Sequence, residues 1–252
     1  MRLSSTTAGA GPTHVGLVHG LGADGETWRP LIERMLAAGD LTVTTVDLRG
    51  HGSSARATSY ALDDLADDVA ETLPRGLSVL VGHSLGGPVV ARAVERLAPS
   101  RAVYLDPGFG LALPTTGVAG RLFWTAPTIT LGVAQLLRAR RSGRQRAAYP
   151  QEVRQLLDDA MQRFDARMAV GVFRDVAFHP ISVAPPAVPS TIVLSDESPA
   201  VLPNALATRL EQQGWDIRRI DGVGHDMHLE APDRVLEAII DVLSPRAEPH
   251  PD

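Results

Sequence analysis

Apolar residues along this chain fall into short continuous runs separated by longer stretches in which they recur every three or four positions. That alternation predicts an α/β fold, a mostly parallel sheet covered by helices on both faces. Strands are expected at about 14–19 (HVGLVH), 41–47 (LTVTTVD), 77–82 (LSVLVG), 101–106 (RAVYLD), 191–195 (TIVLS) and 216–220 (DIRRI). Between the third and fourth strands, Val89, Val90, Ala93, Val94 and Leu97 line one side of a helix that begins near Ser84. Leu62, Leu65, Val69 and Leu73 do the same within 60–73, and a final helix is expected to start near Pro232.

The rhythm breaks between Pro107 and Pro189, a span far longer than the dozen or so residues that one crossover needs. It keeps helical patterning of its own. Val153, Leu157, Met161, Phe164 and Met168 fall on one face, and Leu131, Leu136 and Leu137 belong to a second apolar segment. The expected organisation is therefore a core made of 1–106 and 190–252, with 107–189 inserted as a helical cap. Residues 1–12 and the proline-rich end SPRAEPHPD are expected to fray.

Composition narrows the chemistry. The chain has 252 residues and no cysteine, which removes thiolate nucleophiles and cysteine-bound zinc. All 24 basic residues are arginine, so no lysine is present to form a Schiff base. A net charge of −5 argues against a general nucleic-acid partner. The absence of a long apolar run argues against a membrane span or a secretory leader, and a cytoplasmic location is the expectation.

Against this background VGHSLGG, residues 81–87, stands out. Gly82, Ser84 and Gly86 match GxSxG between an expected strand and an expected helix, where a sharp turn exposes the serine hydroxyl and small neighbours let backbone approach. LVHGLG, residues 17–22, ends the first strand in a glycine-flexible loop; the N–H groups of Leu21 and Leu85 are expected to form an oxyanion hole. GVGHDMHLEAP, residues 222–232, places His225 in a loop at the carboxyl end of the last strand.

In this order, HG, then GxSxG, then a late GHxxHLExP, with DLRGHGSS at 47–54 and a helical insertion in the second half, the chain resembles the α/β-hydrolase family over nearly its whole length. The resemblance implies Ser84 as nucleophile, His225 as general base and then acid, an acidic residue to orient the histidine, and no cofactor. It usually supplies the acid after the penultimate strand, in a pattern similar to G-x-x-D-P. Here the segment reads VLSDESPAVLP, which puts Ser198 at the acid's place with Asp196 and Glu197 nearby. Some branches take the acid from the strand after the nucleophile's helix, which here ends AVYLDPG, so Asp106 is the expected acid and Asp196 the alternative.

The remaining histidines have plainer expectations. His228 lacks the HExxH arrangement and a third ligand, so no metal site is expected. His83 lines the pocket or packs, His19 and His51 make structural hydrogen bonds, and Trp28 packs beneath the loop after His19. Gly20, His83 and Trp124 are the expected substrate-binding residues, and RARRSGRQR at 138–146 reads as a solvated helix end. The functional expectation is a serine hydrolase cleaving an ester, lactone or related acyl bond of a small apolar molecule, as monomer or homodimer. Two alternatives use the same fold: a lyase or C–C bond hydrolase on the same triad, the short N-terminus without the usual opening hairpin resembling the plant methylesterase and hydroxynitrile lyase group and the arginine-rich, lysine-free composition pointing to secondary metabolism, and a ligand-binding receptor with a dead triad.

Overall fold

The computed structural model describes residues 1–110, 113–125, 147 and 149–243. The apolar segment around Leu131–Leu137, the arginine run at 138–146 and the proline-rich C-terminus lie outside the described residues.

Seven strands form one sheet in the order β1-β3-β2-β4-β5-β6-β7. They are β1 (Ser5–Gly9), β2 (Thr13–Val18), β3 (Leu41–Val46), β4 (Val79–His83), β5 (Arg101–Leu105), β6 (Ser190–Leu194) and β7 (Asp216–Arg219). From β3 through β7 every pairing is parallel, and only β1 runs antiparallel, along β3. The six expected strands are present. The seventh corrects the reading of residues 1–12 as frayed; it pairs with β3 while β2 lies between β3 and β4, so β1 and β2 form no hairpin with each other. The Ser-Thr-Thr-Ala-Gly sequence of β1 has a loop-like composition, yet its threonines are β-branched, and pairing Ser5 to Val46 through Gly9 to Thr42 satisfies the backbone of an otherwise open edge. Leu3, 5 % exposed, anchors this segment.

The helices are α1 (Arg29–Ala38), α2 (Leu62–Thr72), α3 (Gly86–Leu97), α4 (Gly117–Thr125), α5 (Gln151–Gln162), α6 (Met168–Phe178), α7 (Asn204–Gln212), α8 (Met227–Glu230) and α9 (Pro232–Leu243). Because strand side chains alternate, β2 through β6 each feed two cores. Leu80, Tyr104 and Ile192 pack with Leu65, Val69, Val90 and Leu97 of α2 and α3. Val79, Val81, Val103, Leu105 and Val193 pack on the other face with Leu31 and Met35 of α1 and Val235 and Ile239 of α9. A sheet buried on both sides explains the near-continuous apolar runs.

The span 107–189 carries helices between β5 and β6 among its described residues, but the single face expected through Val153 to Met168 is broken. Two helices replace it, because residues 163–167 turn back onto the core. Asp165 donates its N–H to Gly50 O at 2.8 Å, accepts the Tyr60 hydroxyl at 2.7 Å, and takes the Arg167 N–H at 3.1 Å. Arg163 pairs with buried Asp24 at 2.6 Å. Met161 is left 51 % exposed, while Phe164 packs on the His51 ring.

Candidate active site

Ser84 occupies the two-residue turn between β4 and α3 with φ of +50°, a left-handed conformation that a serine adopts only under constraint. Its surroundings supply that constraint. Ser84 N–H donates to Leu105 O at 3.0 Å, and Ser84 O accepts from Gly87 N–H at 3.1 Å and Gly108 N–H at 2.9 Å. The flanking glycines are required by close approach: a Cβ on Gly82 would collide with the carbonyl of Gly86, and one on Gly86 with the carbonyl of Val18. The serine hydroxyl is thereby held above the carboxyl ends of the central strands.

His225 reaches it from the loop after β7. Its Nε2 lies 2.9 Å from Ser84 Oγ and its Nδ1 3.1 Å from Asp106 Oδ2. Asp106, just past β5, is fully buried and also has a left-handed backbone, φ of +42°, with its N–H donated to Val193 O. With Nδ1–H donated to the carboxylate, Nε2 presents its lone pair to the serine hydroxyl, the tautomer that can accept the proton. Burial by itself would raise the Asp106 carboxyl. Hydrogen bonding and charge from His225, with hydrogen bonds from Ser195 and Ser198, outweigh it and hold the group below its usual range.

Asp196, the alternative acid, is exposed and turned away: its carboxylate accepts the Gly222 N–H at 2.9 Å and does not meet His225. The loop after β6 approaches the site differently, by placing Ser195 and Ser198 on Asp106.

His83 is not a pocket wall. It is 3 % exposed, its Nε2–H donates to the His225 carbonyl at 2.9 Å, and its ring lies 4.9 Å from that of His225. Burial, and then the proximity of His225, push it down to about 4, so it is a neutral brace between the serine turn and the histidine loop. Glu230 of α8 braces the same loop by accepting the Gly224 N–H at 2.9 Å. His228 is buried between the rings of Trp28 and His83, each 4.5 Å away, and burial holds it well below its ordinary value. Trp28, expected beneath the loop after His19, is fully buried with Leu31 and Met35 and has its ring near those of His83 and His228.

The loop after His19 carries one expected oxyanion donor, Leu21, and the serine turn carries the other, Leu85. Among the described residues no acceptor takes the N–H of Leu21 or of Leu85. The loop is shaped by two buried imidazoles. His51 Nε2 accepts the Gly22 N–H at 3.1 Å, and His19 donates Nδ1–H to Gly20 O at 2.8 Å while accepting Leu48 N–H at 3.0 Å. Gly20 adjoins the nucleophile: a Cβ there would lie 3.0 Å from the Ser84 Cβ. Trp124 sits apart, on α4, with its Nε1–H on Pro114 O at 2.9 Å and its ring 5.5 Å from Phe178, so its described contacts are within the insertion and not with Ser84.

Residues 17–238 match the model of a family described as the alpha/beta hydrolase family. A pimeloyl-[acyl-carrier protein] methyl ester esterase of Pseudoalteromonas atlantica is 39 % identical over 105 residues, which is 41 % of this chain and 39 % of that protein. The chain thus matches well under half the length of such curated relatives. A hydrolase from Oleispira antarctica superposes with a TM-score of 0.76 at 18 % identity, covering 96 % of this chain and 94 % of that one. An N-acyl homoserine lactone degrading enzyme superposes with a TM-score of 0.70 at 23 % identity, covering 95 % and 96 %. Both likenesses are of fold.

Proposed function

The chain belongs to the alpha/beta hydrolase family, and on that premise we propose that it hydrolyses a carboxylic ester or lactone of a small molecule through Ser84, His225 and Asp106. The observation that carries this reading is the unbroken contact from Ser84 Oγ through both nitrogens of His225 to the buried Asp106 carboxylate. The methyl ester esterase relative and the lactone-degrading neighbour support the choice of bond.

Ser84 Oγ attacks the acyl carbon as its proton passes to His225 Nε2, and the carbonyl electron pair moves onto oxygen. The Leu21 and Leu85 N–H groups receive that oxyanion. As the tetrahedral adduct collapses, the bond to the alkoxy oxygen breaks and the leaving alkoxide takes the proton from Nε2, leaving an acyl-serine. Water then repeats the sequence, losing its proton to Nε2, and Ser84 Oγ departs reprotonated with release of the acid. Asp106 stays ionised throughout and stabilises the imidazolium at each stage.

The test is covalent labelling of Ser84 by a fluorophosphonate, together with turnover of a panel of p-nitrophenyl esters and lactones. Wild type is expected to label and turn over, and Ser84→Ala to fold, resist labelling and lose turnover by orders of magnitude. A wild-type protein that is folded but neither labelled nor active would overturn the reading in favour of a ligand-binding protein. Labelling without ester or lactone cleavage would move the reaction to C–C cleavage or elimination.

A further inference from the structure

The loop after β6 directs two buried hydroxyls at one carboxylate. Ser195 and Ser198 both donate O–H to Asp106, Ser195 to Oδ2 and Ser198 to Oδ1. Each hydroxyl oxygen is itself engaged from behind by a backbone N–H: Glu197 N–H on Ser195 Oγ at 3.1 Å, and Ser195 N–H on Ser198 Oγ at 2.7 Å. A hydroxyl has one proton to give, and with its oxygen so occupied that proton points at the carboxylate. The same Ser195 N–H is shared, as a bifurcated donor, with Oδ1 at 2.8 Å, and His225 Nδ1–H meets Oδ2. Asp106 therefore accepts four donors, two on each oxygen, in a place closed to solvent.

We propose that Ser195 and Ser198 are positioning residues for the hydrolytic reaction, locking the Asp106 carboxylate in the rotamer that meets His225 and drawing its negative charge partly away from the imidazole. The inference rests on the Ser84, His225 and Asp106 reading given above. Two opposing effects make the hydroxyls necessary. A carboxylate without solvent ionises only when donors replace its hydration, yet each donor also weakens its attraction for the imidazolium. Removing one hydroxyl frees the carboxylate to rotate and concentrates its charge toward His225.

The other titratable groups around the pair are few among the described residues. His83 on β4 faces the His225 ring, His228 of α8 lies behind His83, and Asp226 is the next residue in the chain. Asp196 and Glu197 share the serine loop, and Glu230 holds Gly224 N–H. The Asp106 carboxylate is met by Ser195, Ser198 and His225, so a change on replacing either serine reports the serine.

The experiment compares wild type with Ser195→Ala, Ser198→Ala and the conservative Ser198→Thr. It measures kcat and KM for p-nitrophenyl acetate from pH 5 to 9 and, independently of turnover, the titration of the His225 ring by NMR. Each alanine variant is expected to lose about tenfold in kcat at unchanged KM, as for loss of one charge-assisted hydrogen bond. The low-pH limb of the rate profile and the NMR midpoint should move up together by about 0.5 pH or more, and Ser198→Thr should restore both. Folded alanine variants with a wild-type midpoint overturn the proposal, whether kcat is unchanged or reduced. A protein that hydrolyses no ester would refute the functional reading instead, and the NMR midpoints would still decide the role of the two serines.

Discussion

Replacing Asp106 by asparagine keeps the shape of the side chain and removes its charge, and the hydrogen bonds around it dictate the outcome. The Ser195 backbone N–H and the Ser198 hydroxyl point at Oδ1. A backbone N–H cannot reverse into an acceptor, so the amide oxygen must take that place and the NH2 must take the place of Oδ2, facing Ser195 Oγ and His225 Nδ1. A donor opposite Nδ1 selects the ring tautomer with Nδ1 bare and the proton on Nε2. That nitrogen then meets Ser84 Oγ with a proton and has no lone pair to accept another. In serine-protease triads the same aspartate-to-asparagine change lowers turnover about 10⁴-fold through this tautomer, some 5 kcal/mol of barrier. We expect a kcat loss of that order for Asp106→Asn with KM nearly unchanged, and little loss for Asp196→Asn, whose carboxylate accepts the Gly222 N–H. The assay is p-nitrophenyl ester turnover paired with thermal melts, since a destabilised protein would imitate a catalytic defect. Near-wild-type activity in a folded Asp106→Asn protein, with Asp196→Asn crippled, would refute the assignment.

His83→Leu is close in size to the imidazole and deletes the N–H that holds the His225 carbonyl; kcat should fall about tenfold at constant KM, the cost of one positioning hydrogen bond, and unchanged steady-state kinetics would remove His83 from the site's support. Gly86→Ala should destabilise the fold by about 2–3 kcal/mol, because its Cβ meets the Val18 backbone, which cannot yield as a side chain would; a urea midpoint equal to wild type would contradict the close approach. Stability should fall with acid between pH 6.5 and about 4. His83, His19, His51 and His228 are buried neutral with folded values depressed from 6.5, so in that window the unfolded chain binds more protons and the free energy of unfolding rises with pH. His83 alone, moved from 6.5 to about 4, accounts for about 3 kcal/mol that is fully present above the unfolded value and lost on acidification. Asp106, held below its usual range, keeps its contribution until the pH falls further. Urea unfolding at pH 7.5 and 4.5 measures the difference, and equal stabilities would mean these rings are solvated.

What the chain determines locally could be read from it. A sheet buried on both faces demands continuous apolar runs, and these located six of the seven strands among the described residues; the three-to-four spacing located α2 and α3, and Pro232 the start of α9. Ser84 was legible because its turn admits only small neighbours at 82 and 86, a requirement that leaves its mark in the sequence itself. The roles expected of His225 and Asp106 came with the family resemblance, carried by the late GHxxHLExP stretch and by the serine at 198 where that family usually has its acid, and the structure brings the two side chains to 3.1 Å. Tertiary structure decided the rest. Polar Ser5–Gly9 becomes a strand only because β3 offers an open edge. The helix expected across 153–168 breaks because Asp165 finds Tyr60 and Gly50, partners about a hundred residues away in the chain. Ser195, Ser198 and His83 carry no local signature, since a hydroxyl or an imidazole of the same spacing serves equally well at any surface. They matter because parallel strands bring the ends of β4, β5 and β6 side by side, and in the closed, water-poor space above them each donor must find a particular acceptor.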